Sequence, residues 1–233
     1  MHGNRVKRFR LISANLWNGG ADPSAFADLV ERLRADVVAV QELTARQAEA
    51  LARVMPHGLL EPDAKYRGMG VALRRPGKVR RIPLACRDAR MAEIHVGDGP
   101  GADGVVEIIN VHVQAPHSPP TWGSFRRRRL QLRGLERYLE AHPGRRRAVV
   151  GDLNATPLWP LYRRLAARLT DAAVETASRQ SRRPRPTWGP WPGAPRLLRI
   201  DHALVSGLTV GDFRVVPVVG ADHSAIVVDL SID

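Results

Sequence analysis

Six apolar runs in this chain end in the same kind of residue. LISAN ends at Asn15, VVAVQE at Glu42, IINVH at His112, AVVGDLN at Asp152 and Asn154, and LLRIDH at Asp201; VVGADHS supplies Asp222 and His223 just ahead of the apolar stretch Ala225–Val228. An acid, amide or imidazole is costly to bury without a partner, so one polar strand end is only punctuation, a turn or a capped loop. Six of them constrain the fold far more. Short runs rich in Val, Ile and Leu read as buried strands. Strands that all finish in acids, amides and imidazoles converge on one rim, which is where open α/β sheets bind ligands.

The segments between these runs set the layers. PSAFADLVERLRA has apolar residues three and four apart and reads as a helix, with Asp22 or Ser24 as its cap. TARQAEALARVM reads as a second helix with Thr44 at its N-cap, SFRRRRLQLRGLERYLEAH as a long basic one, and LWPLYRRLAARL as a short one. A first strand is expected near residues 8–14. YRGMGVALRR, RIPLAC, MAEIHV and GVVEIINVHVQ read as further strands, parted by turns such as GDGPGADG. Residues 178–196 form a Pro/Arg/Trp loop, after which LLRIDHALVS, VGDFRVVPVV and AIVVDLSI close the chain as strands. Strands alternate with helices early and follow one another directly later. That order predicts an α/β layered sandwich with mixed sheets rather than a purely parallel doubly wound sheet. No repeat or long linker divides it, so residues 1–233 are expected to form a single domain with its core over about 8–232.

Charge narrows the partner. Lys and Arg number 36 against 23 Asp and Glu, a net charge of +13. Such a balance suits a polyanion: nucleic acid, an anionic membrane surface or a phosphorylated substrate. A composition rich in Ala, Arg, Pro and Gly produces the same excess without any partner, so charge supports an argument and cannot start one. Aromatic residues are 5% of the chain, too few for a long base-stacking stripe. The single cysteine, Cys86, excludes a disulfide within the chain. No run approaches the ~20 apolar residues of a membrane helix, and the basic N-terminus lacks the long apolar stretch of a signal peptide. A cytoplasmic monomer is expected.

The residue types define a chemistry. Carboxylates without thiolate ligands suit a hard, oxygen-seeking cation, Mg²⁺ or Mn²⁺. An imidazole beside a carboxylate is a general base with its tautomer held. Asn and His nearby can donate to phosphoryl oxygens. Together these groups describe attack of water on a phosphate ester.

The motifs GDLNATP, RIDHALVS and ADHSAIVVDL, preceded by SANLW, AVQEL and INVHVQAP, resemble those of the endonuclease/exonuclease/phosphatase superfamily of DNase I-like enzymes. The likeness runs from about residue 8 to the C-terminus. It implies a four-layer α/β/β/α sandwich with two mixed central sheets and a Mg²⁺-dependent hydrolase acting on ester bonds. By the same resemblance, Glu42 is the principal metal ligand, Asn15 lies close to the metal, and Asp222 is a second acid near the metal or His223. His223 looks like the base that activates water, oriented by Asp201. Asp152 and Asn154 look like the pair that places the nucleophile and a phosphoryl oxygen, and His112 like a donor to the phosphate or leaving oxygen. Trp17 stands where abasic-site repair enzymes carry an acid, and His112 where they tend to carry Tyr.

Other residues divide between structural and functional readings. Arg126 to Arg129 lie on the long basic helix, where a solvated face competes with a phosphate-tracking surface through Arg126 and Arg129. Trp188 and Trp191 sit in the Pro-rich loop and either cover a substrate or pack the loop onto the sheet. His202 follows Asp201 and points to the opposite strand face, a structural position. His112 and His117 form a weak zinc pattern without a third ligand. Cys86 reads as a buried filler. A nuclease is slightly favoured by the charge. The alternatives are a phosphatase or phosphodiesterase acting on lipid-linked or small-molecule phosphates, and a non-catalytic module binding nucleic acid or phospholipid.

Overall fold

A computed structural model describes residues 7–96 and 104–232. Two six-stranded sheets lie face to face. The first contains β1 (Lys7–Asn15), β2 (Val37–Gln41), β3 (His57–Glu61), β4 (Met69–Leu73), β11 (Thr209–Pro217) and β12 (Ser224–Ile232), in the order β11-β12-β1-β2-β4-β3. The second contains β5 (Lys78–Ile82), β6 (Ala89–His95), β7 (Val105–Asn110), β8 (Arg147–Asp152), β9 (Thr170–Asp171) and β10 (Asp201–Ser206), in the order β5-β6-β7-β8-β10-β9. Each sheet has one parallel pair at its centre, β1 with β2 and β7 with β8, among antiparallel neighbours. These are mixed sheets, as the order of strands and helices predicts.

Side-chain alternation builds three apolar layers. Leu11, Val37, Ala39 and Val71 from one sheet meet Ile108, Ala148, Val150 and Ala203 from the other in the central core. On the outer face of the first sheet, Ile12, Val38 and Val40 pack under Phe26, Leu29 and Val30 of α1 (Pro23–Arg32) and Leu51 of α2 (Ala45–Val54). On the outer face of the second, Ile109, Val149 and Leu204 pack under Leu132 and Leu135 of α3 (Thr121–Ala141) and Leu161 and Leu165 of α4 (Pro160–Ala166). The result is the four-layer α/β/β/α sandwich. A fifth helix, α5 (Ala172–Arg179), lies against β10 and β11 and spans the side of the sandwich.

The caps agree with the sequence. Asp22 accepts from the Ala25 N–H at 2.8 Å, and Thr44 forms a capping box with Gln47. The differences lie in short or irregular pieces. The RIPLAC strand ends at Ile82 and leaves Cys86 on a loop. β3, β9 and α5 have no counterpart among the sequence expectations. Most of the GDGPGADG turn lies outside the described residues.

Candidate active site

Strand direction explains the convergence. Asn15, Gln41, Asn110 and Asp152 are the last residues of β1, β2, β7 and β8, while Asp201 opens β10 and His223 immediately precedes β12. β10 runs antiparallel to β8, with Asp201 opposite Asp152, and β12 runs antiparallel to β1. A start on one strand therefore meets an end on its neighbour, and every polar terminus reaches one edge of both sheets.

A buried amide network joins the sheets beneath that edge. Gln41 donates to Asn110 Oδ1 at 2.7 Å, and Asn110 donates to the carbonyls of Val40 and Gly70 at 2.9 Å each. Both side chains are fully buried. These bonds tie β2, β4 and β7 together across the two sheets, while Gln41 Oε1 is buried without a partner. Gly151, just before Asp152, is needed for a different reason. Its φ is 128°, and a Cβ there would meet the Val111 carbonyl oxygen at 2.1 Å.

Asp152 is the hub. Its Oδ1 accepts from the Asn154 N–H at 2.7 Å; its Oδ2 accepts from Asn154 Nδ2 at 2.9 Å and from Asn15 Nδ2 at 3.2 Å. Asn15 Nδ2 also lies 3.2 Å from Glu42 Oε1, while its Oδ1 accepts from the Trp17 N–H at 3.0 Å. Asn15 thus turns its donor, not its oxygen, toward the carboxylates. Glu42 and Asn154 both hold left-handed backbone, with φ of 54° and 48°. Such strain collects at sites that need a particular side-chain direction.

The imidazoles face this hub from two sides. His112 Nε2 lies 3.7 Å from both Glu42 Oε1 and Asp152 Oδ2. Its Nδ1 contacts the Arg87 guanidinium, which can only donate. Nδ1 is therefore the acceptor, and the proton sits on Nε2, aimed at the carboxylates. Burial, with Arg87 and His223 nearby, holds His112 well below the usual imidazole range, so it is neutral. His223 Nδ1 lies 2.9 Å from Asp201 Oδ2, leaving Nε2 facing Asp152 Oδ2 at 3.9 Å. The same Asp201 oxygen accepts from Thr187 Oγ1 at 2.6 Å.

Electrostatics set these groups apart. Burial, reinforced by Asp201 and Glu42, raises Asp152 to about 7. Burial also raises Glu42. Burial works against the charge of His223, but Asp201, Asp152 and Asp222 outweigh it and raise the imidazole to about 10. The cluster holds more negative charge than its own residues offset.

That excess is what a divalent cation would neutralise. Asp222 Oδ2 accepts from the Trp188 indole at 3.0 Å, but its Oδ1 is buried without a hydrogen-bond partner. Glu42, Asp152 and Asp222 are oxygen donors with free lone pairs, so the residues fit a hard cation and could hold one. Asp152, Asp201 and His223 also bring donor atoms within 4.8 Å of one another. There Asp201 and His223 bind each other, so they form a dyad before they form a metal site.

A cleft of about 900 Å³ opens above the hub. Glu42, His112, Asp152, Asn154, Asp222, His223 and Trp188 all line it. Arg126 and Arg129 do not. They lie exposed on the outer face of α3, and the cationic walls are Lys65, Arg67, Arg87 and Arg127 instead. Helical phase explains the correction: Arg127 turns toward the loop, and Arg128 turns inward to the carbonyls of Gln114 and Asn154. Cys86 is corrected too, since it is exposed and lines the cleft. His117 lines the cleft but joins no metal-type cluster among the described residues. His202 is fully buried on the opposite face, against the Ala155 carbonyl at 2.8 Å.

The model of the endonuclease/exonuclease/phosphatase family matches residues 12–223. The chain belongs to this family. Solved structures agree on the fold. A family protein from Bacteroides thetaiotaomicron superposes with a TM-score of 0.72 at 14% identity, over 98% of this chain and 99% of that one. Another from Bacteroides vulgatus gives 0.72 at 18%, over 97% and 99%. A humanized D. rerio TDP2 gives 0.71 at 18%, over 96% and 98%. No curated protein matches the chain significantly. In family terms the match spans every strand end named above, from Asn15 to His223.

Proposed function

We propose that the chain is a divalent-cation-dependent phosphoesterase, hydrolysing phosphodiester or phosphomonoester bonds. The observation that carries this reading is the His223–Asp201 pair, whose free Nε2 faces Asp152 Oδ2 across 3.9 Å beside Glu42. Mg²⁺ or Mn²⁺ held by Glu42, Asp152 and Asp222 would supply charge neutralisation at the phosphoryl and leaving oxygens.

The chain's own groups do the rest. Water between His223 Nε2 and Asp152 is oriented toward phosphorus. His223 takes its proton while Asp201, itself held by Thr187, stabilises the imidazolium formed. The new P–O bond forms as the bond to the leaving oxygen breaks. His112 Nε2–H and the Asn15 and Asn154 amides donate to oxygens that gain charge.

A second reading follows from the electrostatics. With His223 raised to about 10 and Asp152 to about 7, Asp152 takes the proton, the cation then resting with Glu42 and Asp222 alone, and His223 enters as an imidazolium donor. The pH profile separates the two. A His223 base gives activity that rises as His223 loses its proton; an imidazolium gives activity that falls.

The test of the shared reading is hydrolysis of soluble p-nitrophenyl phosphodiesters and monoesters with Mg²⁺ or with EDTA. Turnover that disappears with EDTA is expected. Absence of turnover on any soluble or macromolecular ester, by folded protein with Mg²⁺ or Mn²⁺, would leave a binding module.

A further inference from the structure

Most of the exposed large apolar side chains line the cleft or stand near residues that do. Among the described residues ten are exposed: Trp17, Tyr66 and Leu198 line the cleft, Val174 lies on α5, and the other six are near in the chain to lining residues. Trp17 and Tyr66 stand on one wall, their loops joined where the Tyr66 N–H donates to Asn18 at 3.2 Å. Beside the lining residues Pro120 and Trp159, Trp122 is 87% exposed, Phe125 stacks on Trp159 with ring centres 6.0 Å apart, and neighbouring Leu158 is 75% exposed. The Trp loop adds Trp191 and the Leu197–Leu198 pair, tied to Trp188 by backbone hydrogen bonds. Val219 stands three residues ahead of Asp222.

Exposed apolar groups are ordinary when scattered; gathered around one opening they mark an interaction site. Two features choose the partner. First, Leu158, Leu197, Leu198 and Val219 are aliphatic. A nucleobase gains by stacking on rings, whereas a hydrocarbon surface accepts aliphatic and indole groups alike, with Trp favoured at the boundary. Second, the apolar groups are interleaved with cations. Trp122, Phe125, Arg126 and Arg129 occupy positions i, i+3, i+4 and i+7 on the exposed face of α3, and Lys65, Arg67 and Arg127 line the cleft. The chain carries +13 overall. Apolar groups that enter the headgroup boundary beside basic residues that attract anionic headgroups are the signature of interfacial binding. No described helix is long and apolar enough to cross a membrane, so the contact is with the surface.

We propose that the rim of the cleft docks on an anionic lipid bilayer and presents the phosphoesterase site to phosphate esters at that surface. The substrate half of this statement rests on the proposed function; the docking half does not. Arg126 and Arg129, which do not line the cleft, gain a role in it as headgroup contacts.

The test separates the halves. The full chain is floated with vesicles of phosphatidylcholine alone or of equal parts phosphatidylcholine and phosphatidylserine, without metal. It is compared with the triple variant Trp122→Ser, Leu158→Ser, Trp191→Ser, whose thermal midpoint reports that it is folded. Wild type should float with the anionic vesicles, shift its Trp emission to the blue and bind neutral vesicles weakly. The variant should bind on the order of tenfold more weakly or worse. Wild type that stays in the aqueous fraction overturns the docking, whatever its hydrolytic activity. Variant and wild type floating alike overturns this rim as the contact. Loss of single-stranded DNA binding in the variant, with no vesicle binding by wild type, gives the rim to nucleic acid instead. Hydrolysis of a soluble diester by wild type is scored separately, so a dead site and a failed docking surface are told apart.

Discussion

His223 and Asp201 are 22 residues apart in the chain, and His223 Nδ1 sits 2.9 Å from Asp201 Oδ2. The contact exists because β12 and β10 belong to different sheets whose polar ends meet at one rim. It fixes the imidazole so that only Nε2 can work on a ligand. Asp201→Asn keeps the shape but removes the charge that holds the imidazolium. Turnover should fall by about 10²–10⁴-fold, the usual range for a positioned acid–base group. Steady-state kinetics beside a circular dichroism spectrum checks this.

Arg87 acts through His112. It donates to His112 Nδ1 and so places the proton on Nε2, toward the substrate. Arg87→Met should lower kcat by roughly tenfold, as expected for one lost charge-assisted hydrogen bond at ~1.4 kcal/mol per decade. KM for a small diester and the thermal midpoint should stay near wild type. A structural role alone would lower the midpoint and leave kcat per folded molecule unchanged.

Cation binding should follow the carboxylates. Glu42→Gln removes one anionic donor, so calorimetry should show Mn²⁺ binding weakened by roughly tenfold or more. Arg129→Gln lies outside the cleft and should leave Mn²⁺ affinity unchanged.

The amide bridge between the sheets should matter to stability. Asn110→Ala removes the acceptor of Gln41 and the donor to two buried carbonyls, and each buried unsatisfied group costs about 1–3 kcal/mol. A loss of about 3 kcal/mol in urea unfolding is expected, with m unchanged.

Acid sensitivity should arise behind the site. Burial opposes the charge of Asp171, but contacts with His202, Arg199 and Tyr162 outweigh it and hold the carboxyl well below its ordinary range. Tyr162 donates to it at 2.6 Å and Arg199 at 2.7 Å. A depressed carboxyl contributes stability that is full above the unfolded value near ~3.9 and is lost as pH falls below it. Asp171→Asn should therefore lower stability at neutral pH by about 3 kcal/mol and flatten the decline below pH ~4. Urea unfolding at several pH values checks both the size and the sign.

The strand-end motifs are legible because each is a short apolar run with a polar terminus, and strand pairing within each sheet, with the two sheets packed face to face, brings such ends together. The layers were legible for the same reason, from period-two and period-3.6 apolar spacing. Thr187, Lys65, Arg67 and Arg87 are not, because they lie on loops, where no periodicity tells which way a side chain points. Thr187 lies in the Pro/Arg/Trp loop, and backbone hydrogen bonds from its N–H to the Leu198 carbonyl and from the Ser224 N–H to its own carbonyl carry it under Asp201. Arg126 and Arg129 were read from the charge of α3, which says nothing about its phase. Cys86 reads as a buried filler from sequence because no acid–base partner stands near it, but the strand stops at Ile82 and leaves it exposed on a loop.

The most direct measurement is hydrolysis of bis(p-nitrophenyl) phosphate by wild type and His223→Ala, each with Mg²⁺ and with EDTA, on proteins shown to be folded. The account predicts turnover by wild type with Mg²⁺ only, and a loss of about 10²–10⁴-fold in the variant. Equal turnover by the two proteins, or turnover by wild type that survives EDTA, would contradict it.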